Sequence, residues 1–236
     1  MKIKSFIIAI LLCLCAGEAF AQEERWGQNN PYIDDGLFHW GFQIGMNFGS
    51  FLTDQAPANV SSPGVGFRVG FVTDLRLCKY LNLRFTPGLE FSYRSLTYTK
   101  DAVPPIIKGK DTICASTTVG AIPIVLPLYL KFSAEREANV RPYVLVGGGI
   151  SVNVTGYDPN NDFVALKRLD YFCEAGFGCD IYFRWFKFCP EITYRIGFAD
   201  QLDRNHMVTG REKYVTSFGT NRVINQAICL TFNFQD

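Results

Sequence analysis

From residue 37 onward, hydrophobic and polar side chains alternate with a period of two along most of the chain. This alternation is typical of a β-strand that has one apolar and one polar face. In the first stretch, for example, Phe42, Ile44 and Met46 alternate with Gln43 and Gly45. Eight stretches follow the pattern and predict eight strands. They cover 37–49, 65–75, 83–94, 122–132, 140–154, 169–183, 186–199 and a last stretch that ends at 234.

The connections between these strands alternate in length. Long polar segments follow the first, third, fifth and seventh strands, at 52–63, 100–117, 155–168 and 200–217. Short connections follow the second, fourth and sixth strands, near 79–80, 133–139 and 184–185. Outer-membrane barrels combine long extracellular loops with short periplasmic turns. The sequence therefore predicts an all-β fold, an eight-stranded antiparallel up-and-down transmembrane β-barrel with both ends of the barrel chain on the periplasmic side.

The strong charges in the middle of the strands, Asp74 and Asp180 among them, all lie on the polar face. A basic residue on the lipid-facing side would cost about 2–4 kcal/mol at the bilayer midplane, so we expect the apolar face outside. The other face then lines a lumen, where buried charges are tolerated when they are paired and hydrogen-bonded. An eight-stranded barrel is just wide enough for side chains to fill. The residues expected to form a polar network in a plugged lumen are Arg68, Arg84, Glu90, Arg94, Arg141, Glu174, Glu191 and Arg195.

A soluble barrel of the lipocalin type is the main structural alternative, because it shows the same alternation with the apolar face inside. Long strands, a glycine-rich polar face with few lysines and aromatic residues near the strand ends favour the membrane. The aromatic residues expected at the membrane interfaces are Trp40, Tyr93, Tyr129, Trp185 and Tyr194.

Several prolines lie inside the predicted strands. Proline lacks the N–H group that a sheet ladder needs and is normally found at edges, strand starts or bulges. We therefore expect bulges or strand starts at these positions, and a bulge would reverse the facing of the neighbouring side chains. The prolines concerned are Pro87, Pro123, Pro127, Pro142 and Pro190.

The first 21 residues have the pattern of a signal peptide, with two lysines before an apolar run at 6–14 that is too short to span a membrane. Ala19 and Ala21 form the small-x-small pattern of a cleavage site, which predicts cleavage before Gln22. Residues 22–36 are then a periplasmic N-terminal segment, and 37–236 form the barrel domain.

Composition and charge exclude further classes. The 236 residues are 48% hydrophobic and 15% aromatic, which excludes an intrinsically disordered chain. Lysine and arginine number 23 against 22 acidic residues, so the chain has no basic excess for nucleic acid. We predict outer-membrane lipid as a partner and no nucleic acid.

Candidate catalytic and metal-binding residues are few. Neither His39 nor His206 has a neighbouring serine or cysteine in the sequence of the kind that a hydrolase would use as its nucleophile. The cysteines resemble no zinc pattern, and Cys173 and Cys179 share the apolar face of one strand while Cys189 has the opposite parity. We expect most cysteines to be small apolar residues, and we predict no catalytic residue, metal or cofactor.

Two segments carry a resemblance to a known group. Residues 122–132, IPIVLPLYLKF, and 141–148, RPYVLVGG, resemble the IPL-x-LK-aromatic and RPY-x-x-x-G signature of Bacteroidetes outer-membrane β-barrel proteins. The entry segment 34–47, DDGLFHWGFQIGMN, is similar to the PorT family, small barrels of the type IX secretion and gliding apparatus. The resemblance implies an accessory of type IX secretion, which exports proteins that bear a C-terminal sorting domain, and it supplies no catalytic residues.

Other components of type IX secretion would then be partners, docking through loops 100–117 and 200–217 or through the segment 22–36. In that segment Trp26, Pro31 and Tyr32 are compatible with a docking arm, and a disordered leader fits equally well. Two alternatives stay open, a small barrel without a secretion role, such as an adhesin or narrow porin, and an outer-membrane lipid hydrolase.

Overall fold

The computed structural model describes residues 29, 31–53, 59–98, 116–155, 167–201 and 222–236. The predicted signal peptide, Trp26, Cys114, His206 and most of the long loops lie outside the described residues. Within the described part of the chain, no helix is long and apolar enough to cross a membrane.

The described residues form one short 3-10 helix at Ile33–Asp35, followed by eleven β-segments. The segments are β1 Phe38–Thr53, β2 Asn59–Ser62, β3 Gly64–Arg76, β4 Leu81–Phe85, β5 Gly88–Tyr98, β6 Ser116–Ala121, β7 Pro123–Ser133, β8 Val140–Asn153, β9 Leu169–Tyr182, β10 Lys187–Gly197 and β11 Val223–Gln235. Three strands of the barrel are each interrupted once, because β2 continues into β3, β4 into β5 and β6 into β7. The eleven segments therefore make eight strands.

The sheet closes into a barrel because β1 pairs with both β11 and β3. Following the paired residues once around the barrel from Phe48 returns to β1 at Phe38, ten residues earlier. The path runs through Phe48, Ile228, Tyr194, Ala175, Val146, Leu130, Leu83, Leu75 and Phe38. An offset of this size over eight strands corresponds to a strand tilt of about 40°. The predicted closed, antiparallel eight-stranded barrel is confirmed.

The apolar face of the sheet points outward and the charged face points inward. Phe71 is 65% exposed, whereas Arg68 and Asp74, each three residues away and on the opposite parity, are 1% and 0% exposed. The same alternation runs along β7 to β10, where inward positions are buried and the outward ones are mostly exposed. This arrangement excludes the lipocalin-type alternative, in which the apolar side chains would fill the interior.

The prolines inside the strands do not cause the bulges that we expected. The pairings across Pro127 and Pro142 keep a single register along their strands, and β10 keeps one register across Pro190. Pro87 separates β4 from β5, yet both segments keep the same register against β3. Pro123 starts β7, as expected. A proline therefore removes one ladder hydrogen bond here without adding a residue to its strand.

The register change among the described pairings lies at residues 63–66. The pairing of β5 with β2 is shifted by one residue from its pairing with β3, so 63–66 face only 92–94. An extra residue in one strand is a β-bulge, and glycine is common where another backbone approaches closely. A Cβ atom on Gly64 would lie 1.4 Å from the carbonyl oxygen of Tyr93, so no larger residue fits this position.

The first long loop is shorter than predicted. The sequence predicts a loop over 52–63, whereas β1 continues to Thr53 and β2 already begins at Asn59. Strand pairing is made by backbone groups, so a polar stretch such as Asn59–Ser62 can extend the barrel by pairing with β5.

Four of the five aromatic residues predicted at the membrane interfaces, Trp40, Tyr93, Trp185 and Tyr194, are exposed on the outer surface. The prediction for Tyr129 is wrong, because this residue is buried. It lies on the inward parity of β7, where the buried and exposed positions alternate, and burial in the lumen follows from that parity.

Candidate functional site

The structure places all the residues predicted for the lumen inside the barrel, each 8% exposed or less. Arg84 and Glu191 lie toward the periplasmic end, and Arg141 lies at the periplasmic mouth. The others lie in the middle of the barrel or toward its extracellular end. Two groups of paired charges result, named here the periplasmic-side cluster (Arg84, Asp74, Glu191, Lys131, Asp180) and the central cluster (Arg195, Glu90, Glu174, Arg68).

The periplasmic-side cluster joins five strands of the barrel. Arg84 of β4 donates to both carboxylate oxygens of Asp74, from Nε at 2.6 Å and from Nη2 at 2.7 Å. Its Nη1 donates to Glu191 Oε1 at 2.6 Å. Lys131 Nζ donates to the two oxygens of Asp180 at 2.8 and 2.7 Å. Bidentate, charge-assisted bonds of this kind are among the strongest hydrogen bonds in proteins.

Tyr143 and Asn233 complete this cluster. The Lys131 ammonium lies 4.0 Å from the centroid of the Tyr143 ring, and the Arg84 guanidinium carbon lies 5.2 Å from it. Asn233 Nδ2 donates to Glu191 Oε2 at 2.8 Å. Cations over an aromatic face are stabilised further when they are desolvated. Charged, amide and aromatic groups together occupy the periplasmic half of the lumen.

The central cluster is centred on Arg195 of β10. Arg195 Nη1 donates to Glu90 Oε2 at 2.7 Å, and Nε donates to Glu174 Oε2 at 3.0 Å. Arg68 Nη1 lies 3.9 Å from Glu174 Oε1. Asn47 Nδ2 donates to Glu90 Oε1, so both oxygens of this carboxylate have donors. Strands β1, β3, β5, β9 and β10 are thereby linked across the lumen.

The buried charges of the lumen balance. Leaving aside Arg141, the fully inward cations are Arg68, Arg84, Arg94, Lys131, Lys187 and Arg195, and the anions are Asp74, Glu90, Asp170, Glu174, Asp180 and Glu191. The described lumen therefore carries no net charge that would favour anions over cations or the reverse.

Sequence analysis places Asp74 and Asp180 on the lumen-facing side but does not identify Lys131, Lys187 and Asp170. These three residues are charged and have the inward parity of their strands, so parity together with charge could have found them. Lys187 and Asp170 lie within the first two residues of their strands, where a sequence gives the least secure strand boundaries.

The periplasmic mouth is covered in part by the segment 31–36. Tyr182 Oη donates to Asp34 at 2.7 Å, and Arg141 Nη1 lies 3.6 Å from the same carboxylate. The Arg136 guanidinium carbon lies 3.6 Å from the centroid of the Tyr182 ring. Residues just before the first strand are thus packed against the turn that joins β7 and β8.

The remaining candidate groups do not form a recognisable reaction centre within the described residues. His39 is buried on the inward face of β1, and the five described cysteines are free thiols. Cys173 faces outward, whereas Cys189 and Cys229 are buried in the lumen. In the part of the chain that the structure describes, no three His, Cys, Asp or Glu residues are grouped so that they could hold a metal ion.

Residues 20–203 match the family described as "Outer membrane protein beta-barrel domain". The match spans well over half of the chain, so the chain belongs to this family and is an outer-membrane β-barrel protein. No curated protein matches the chain.

Solved outer-membrane barrels are similar to this chain in overall shape only. Neisserial surface protein A (NspA) is 10% identical with a TM-score of 0.43, over 85% of this chain and 96% of its own. OprG from Pseudomonas aeruginosa is 10% identical with a TM-score of 0.42, over 84% and 94%. The outer membrane enzyme PagL is 8% identical with a TM-score of 0.37, over 79% and 97%. Similarities of this size carry no argument about function.

Proposed function

We propose that this protein is a non-catalytic, non-conducting outer-membrane barrel that acts as an accessory or assembly component of a type IX secretion system. The proposal that the barrel does not conduct ions rests on the paired, buried charges in the periplasmic half of the lumen. A barrel with such a lumen works through the surfaces that it presents at the two sides of the membrane.

The energy of the ion pairs supports a closed lumen. An ion that crosses the barrel must pass Arg84, which is bonded to two carboxylates, and Lys131, which is bonded to a third. Separating one partner of a buried pair leaves an uncompensated charge and costs about 3–5 kcal/mol. Passage through the periplasmic-side cluster is therefore unfavourable at rest.

The secretion role is supported by the resemblance of 34–47 to the PorT family. In this segment Asp34 bonds Tyr182 and pairs with Arg141, which holds the chain at the periplasmic turn between β7 and β8. The described residues 31–36 are therefore held at the periplasmic mouth, which suits docking of a periplasmic partner through the segment 22–36.

The experiment is deletion of the gene, followed by an assay of the export of proteins with C-terminal sorting domains. We expect export to stop in the deletion strain and to return with the wild-type gene. The matched comparison is complementation with a chain that lacks residues 23–30, so that signal cleavage and the barrel are kept. Unchanged export in the deletion strain would contradict the secretion role, whereas full rescue by the shortened chain would move the docking surface to the loops.

The hydrolase alternative makes a different prediction. A lipid hydrolase on this barrel would depend on His39 or His206, and replacing both with alanine would abolish lipid modification by the purified protein. We expect no lipid modification by the wild-type protein. Activity that disappears in the double variant would contradict the non-catalytic proposal.

A further inference from the structure

Arg94 is a buried arginine of the lumen that forms no ion pair within the described part of the chain, although its guanidinium carbon lies 5.3 Å from the centroid of the Phe51 ring. Its side chain is on the inward face of β5 and the residue is 6% exposed. Among the described residues, none lies within hydrogen-bonding distance of its Nε. The acid nearest to it along its own strand, Glu90, is already bonded to Arg195 and Asn47. A buried charge normally has a partner. The other buried arginines of the lumen have an acidic partner, and Arg94 differs from them in this respect.

Asp170 is a buried acid with one carboxylate oxygen that lacks a hydrogen-bond donor. The residue is 4% exposed, and its Oδ1 has no hydrogen-bond donor in the described part of the chain. Its Oδ2 accepts a long bond from Asn225 Nδ2 at 3.4 Å, and the backbone N–H of Ala199 also donates to the carboxylate. The amide oxygen of Asn225 is also buried without a donor. An unused cationic donor and two unused acceptors therefore lie in the same region of the barrel.

These groups lie on the extracellular side of the central cluster. Arg94 is four residues beyond Glu90 in β5, and Asp170 is four residues before Glu174 in β9. Both strand ends lead into the long connections that an outer-membrane barrel carries outside the cell. A molecule that reaches Arg94 and Asp170 would enter from outside and stop at the central cluster.

The two charged groups lie against small residues of neighbouring strands, named here the floor (Gly49, Ala227 and Gly197). A Cβ on Gly49 of β1 would lie 2.6 Å from Arg94 Nε, and a Cβ on Gly197 of β10 would lie 3.0 Å from Asp170 Oδ2. Only β11 separates β1 from β10, and it contributes the buried Ala227 at this level. Gly49 pairs with Ala227, and Ala227 pairs with Arg195, so Gly197 lies two strand spacings and two residues away from Gly49, roughly 12 Å. Among the described residues, the Arg94 guanidinium and the Asp170 carboxylate lie at this end of the lumen without an ion pair between them.

We propose that Arg94, Asp170 and Asn225, above the floor of Gly49, Ala227 and Gly197, bind a small zwitterion that carries a carboxylate and an ammonium group, as a free α-amino acid does. The carboxylate of the ligand accepts hydrogen bonds from the Arg94 guanidinium. Its ammonium group donates to Asp170 Oδ1 and Asn225 Oδ1, the two acceptors that lack donors.

Charge selects a zwitterion over a simple ion. Arg94 and Asp170 have opposite charges, so a neutral ligand with both groups satisfies both residues and leaves the lumen neutral. An anion alone would satisfy Arg94 and leave Asp170 Oδ1 without a donor, and a cation alone would satisfy Asp170 Oδ1 and leave Arg94 Nε without an acceptor. This ligand site does not depend on the proposed role in secretion.

The test is equilibrium dialysis of the purified full chain in detergent against radiolabelled L-alanine, with acetate and methylammonium as competitors. We expect saturable binding of L-alanine and at least tenfold weaker competition by acetate and by methylammonium. Absence of saturable binding would overturn the proposal and leave ordered water as the occupant of the site. Competition by acetate as strong as that by L-alanine would overturn it too, because the ammonium group would then play no part.

Variants locate the bound molecule. Arg94→Gln and Asp170→Asn should each weaken the binding of L-alanine at least tenfold, because each removes one charge-assisted partner. Ala227→Leu keeps both charges and fills the floor, so it should abolish binding. Glu135→Gln, in a periplasmic turn on the other side of the barrel, is the matched control and should leave affinity unchanged. Heat-modifiable gel migration checks that each variant folds. Wild-type affinity in folded Ala227→Leu or in folded Asp170→Asn would overturn the assignment of the site.

Discussion

The periplasmic half of the lumen pairs every charge of its cluster, whereas the extracellular half holds a cation and an anion apart. Arg84 binds two carboxylates at 2.6–2.7 Å, and Lys131 binds a third at 2.7 Å. Arg94 and Asp170 are almost as buried, but the atoms Nε and Oδ1 have no hydrogen-bond partner in the described residues. Burial and charge are alike in the two regions, so the presence of an ion-pair partner is what distinguishes the periplasmic-side cluster from the proposed ligand site.

The largest expected effect comes from breaking the sealed region. Arg84→Met leaves Asp74 and Glu191 buried without their cation, and it should lower the free energy of unfolding by about 3–5 kcal/mol. Arg94→Met removes a charge that has no acidic partner, so it should leave the free energy of unfolding unchanged or raise it. Urea titration of the barrel in lipid vesicles measures both. Equal losses in the two variants would mean that the two regions do not differ as described.

A second comparison sets the lumen against the lipid face. Ile192 lies on the outward parity of β10, one residue from Glu191, and is exposed to the membrane. Ile192→Arg should lower the free energy of unfolding in vesicles by about 2–4 kcal/mol, because a basic group then faces hydrocarbon. Ile192→Val is the control and should cost about 1 kcal/mol or less. A loss below 1 kcal/mol in the arginine variant would contradict the assignment of the two faces.

A smaller effect is expected at the periplasmic mouth. Tyr182→Phe removes the hydroxyl that donates to Asp34 and keeps the ring under Arg136. Loss of this bond should weaken the attachment of the segment 31–36 by about 1–3 kcal/mol, because the acceptor is charged. Limited proteolysis of the folded barrel should then cut this segment at least several times faster than in the wild type. An unchanged cleavage rate would show that Tyr182 does not hold the segment.

The smallest effect is expected from the exposed ion pair of the periplasmic turns. Lys79 and Glu135 are 3.0 Å apart with side chains 39% and 53% exposed, so Glu135→Gln should change stability by less than about 1 kcal/mol. The hydrogen bond to Glu135 raises the pKa of Lys79 above its ordinary value of 10.5. The small contribution of this pair is therefore present below pH 10.5 and is lost as the pH rises through the raised pKa. Unfolding curves at pH 8 and pH 11 for the wild type and Glu135→Gln should converge at the higher pH.

The alternation of the strands predicted the barrel, its faces and the inward position of the eight site residues, because strand parity is a local property. It did not predict which charges meet. Arg84 binds Asp74 on a neighbouring strand and Glu191 across the lumen, a pairing set by the ten-residue offset of the closed sheet. That offset depends on the register between all eight strands, and the sequence of a single strand does not predict it.

The errors have local physical causes. The aromatic type of Tyr129 and its place in the strand favour the membrane interface, while its parity indicates the lumen. The prolines suggest bulges, yet a missing N–H removes a bond without altering the register. The bulge at 63–66 depends on the close approach of Gly64 to β5, which sequence alone does not reveal.

The most direct test of the closed lumen is single-channel recording of the purified wild-type barrel in planar lipid bilayers. The paired charges of the periplasmic-side cluster predict no stepwise conductance at moderate voltage, although the protein is inserted and folded by heat-modifiable migration. Regular conductance steps from the folded wild-type protein would contradict a sealed lumen and would favour the narrow-porin alternative.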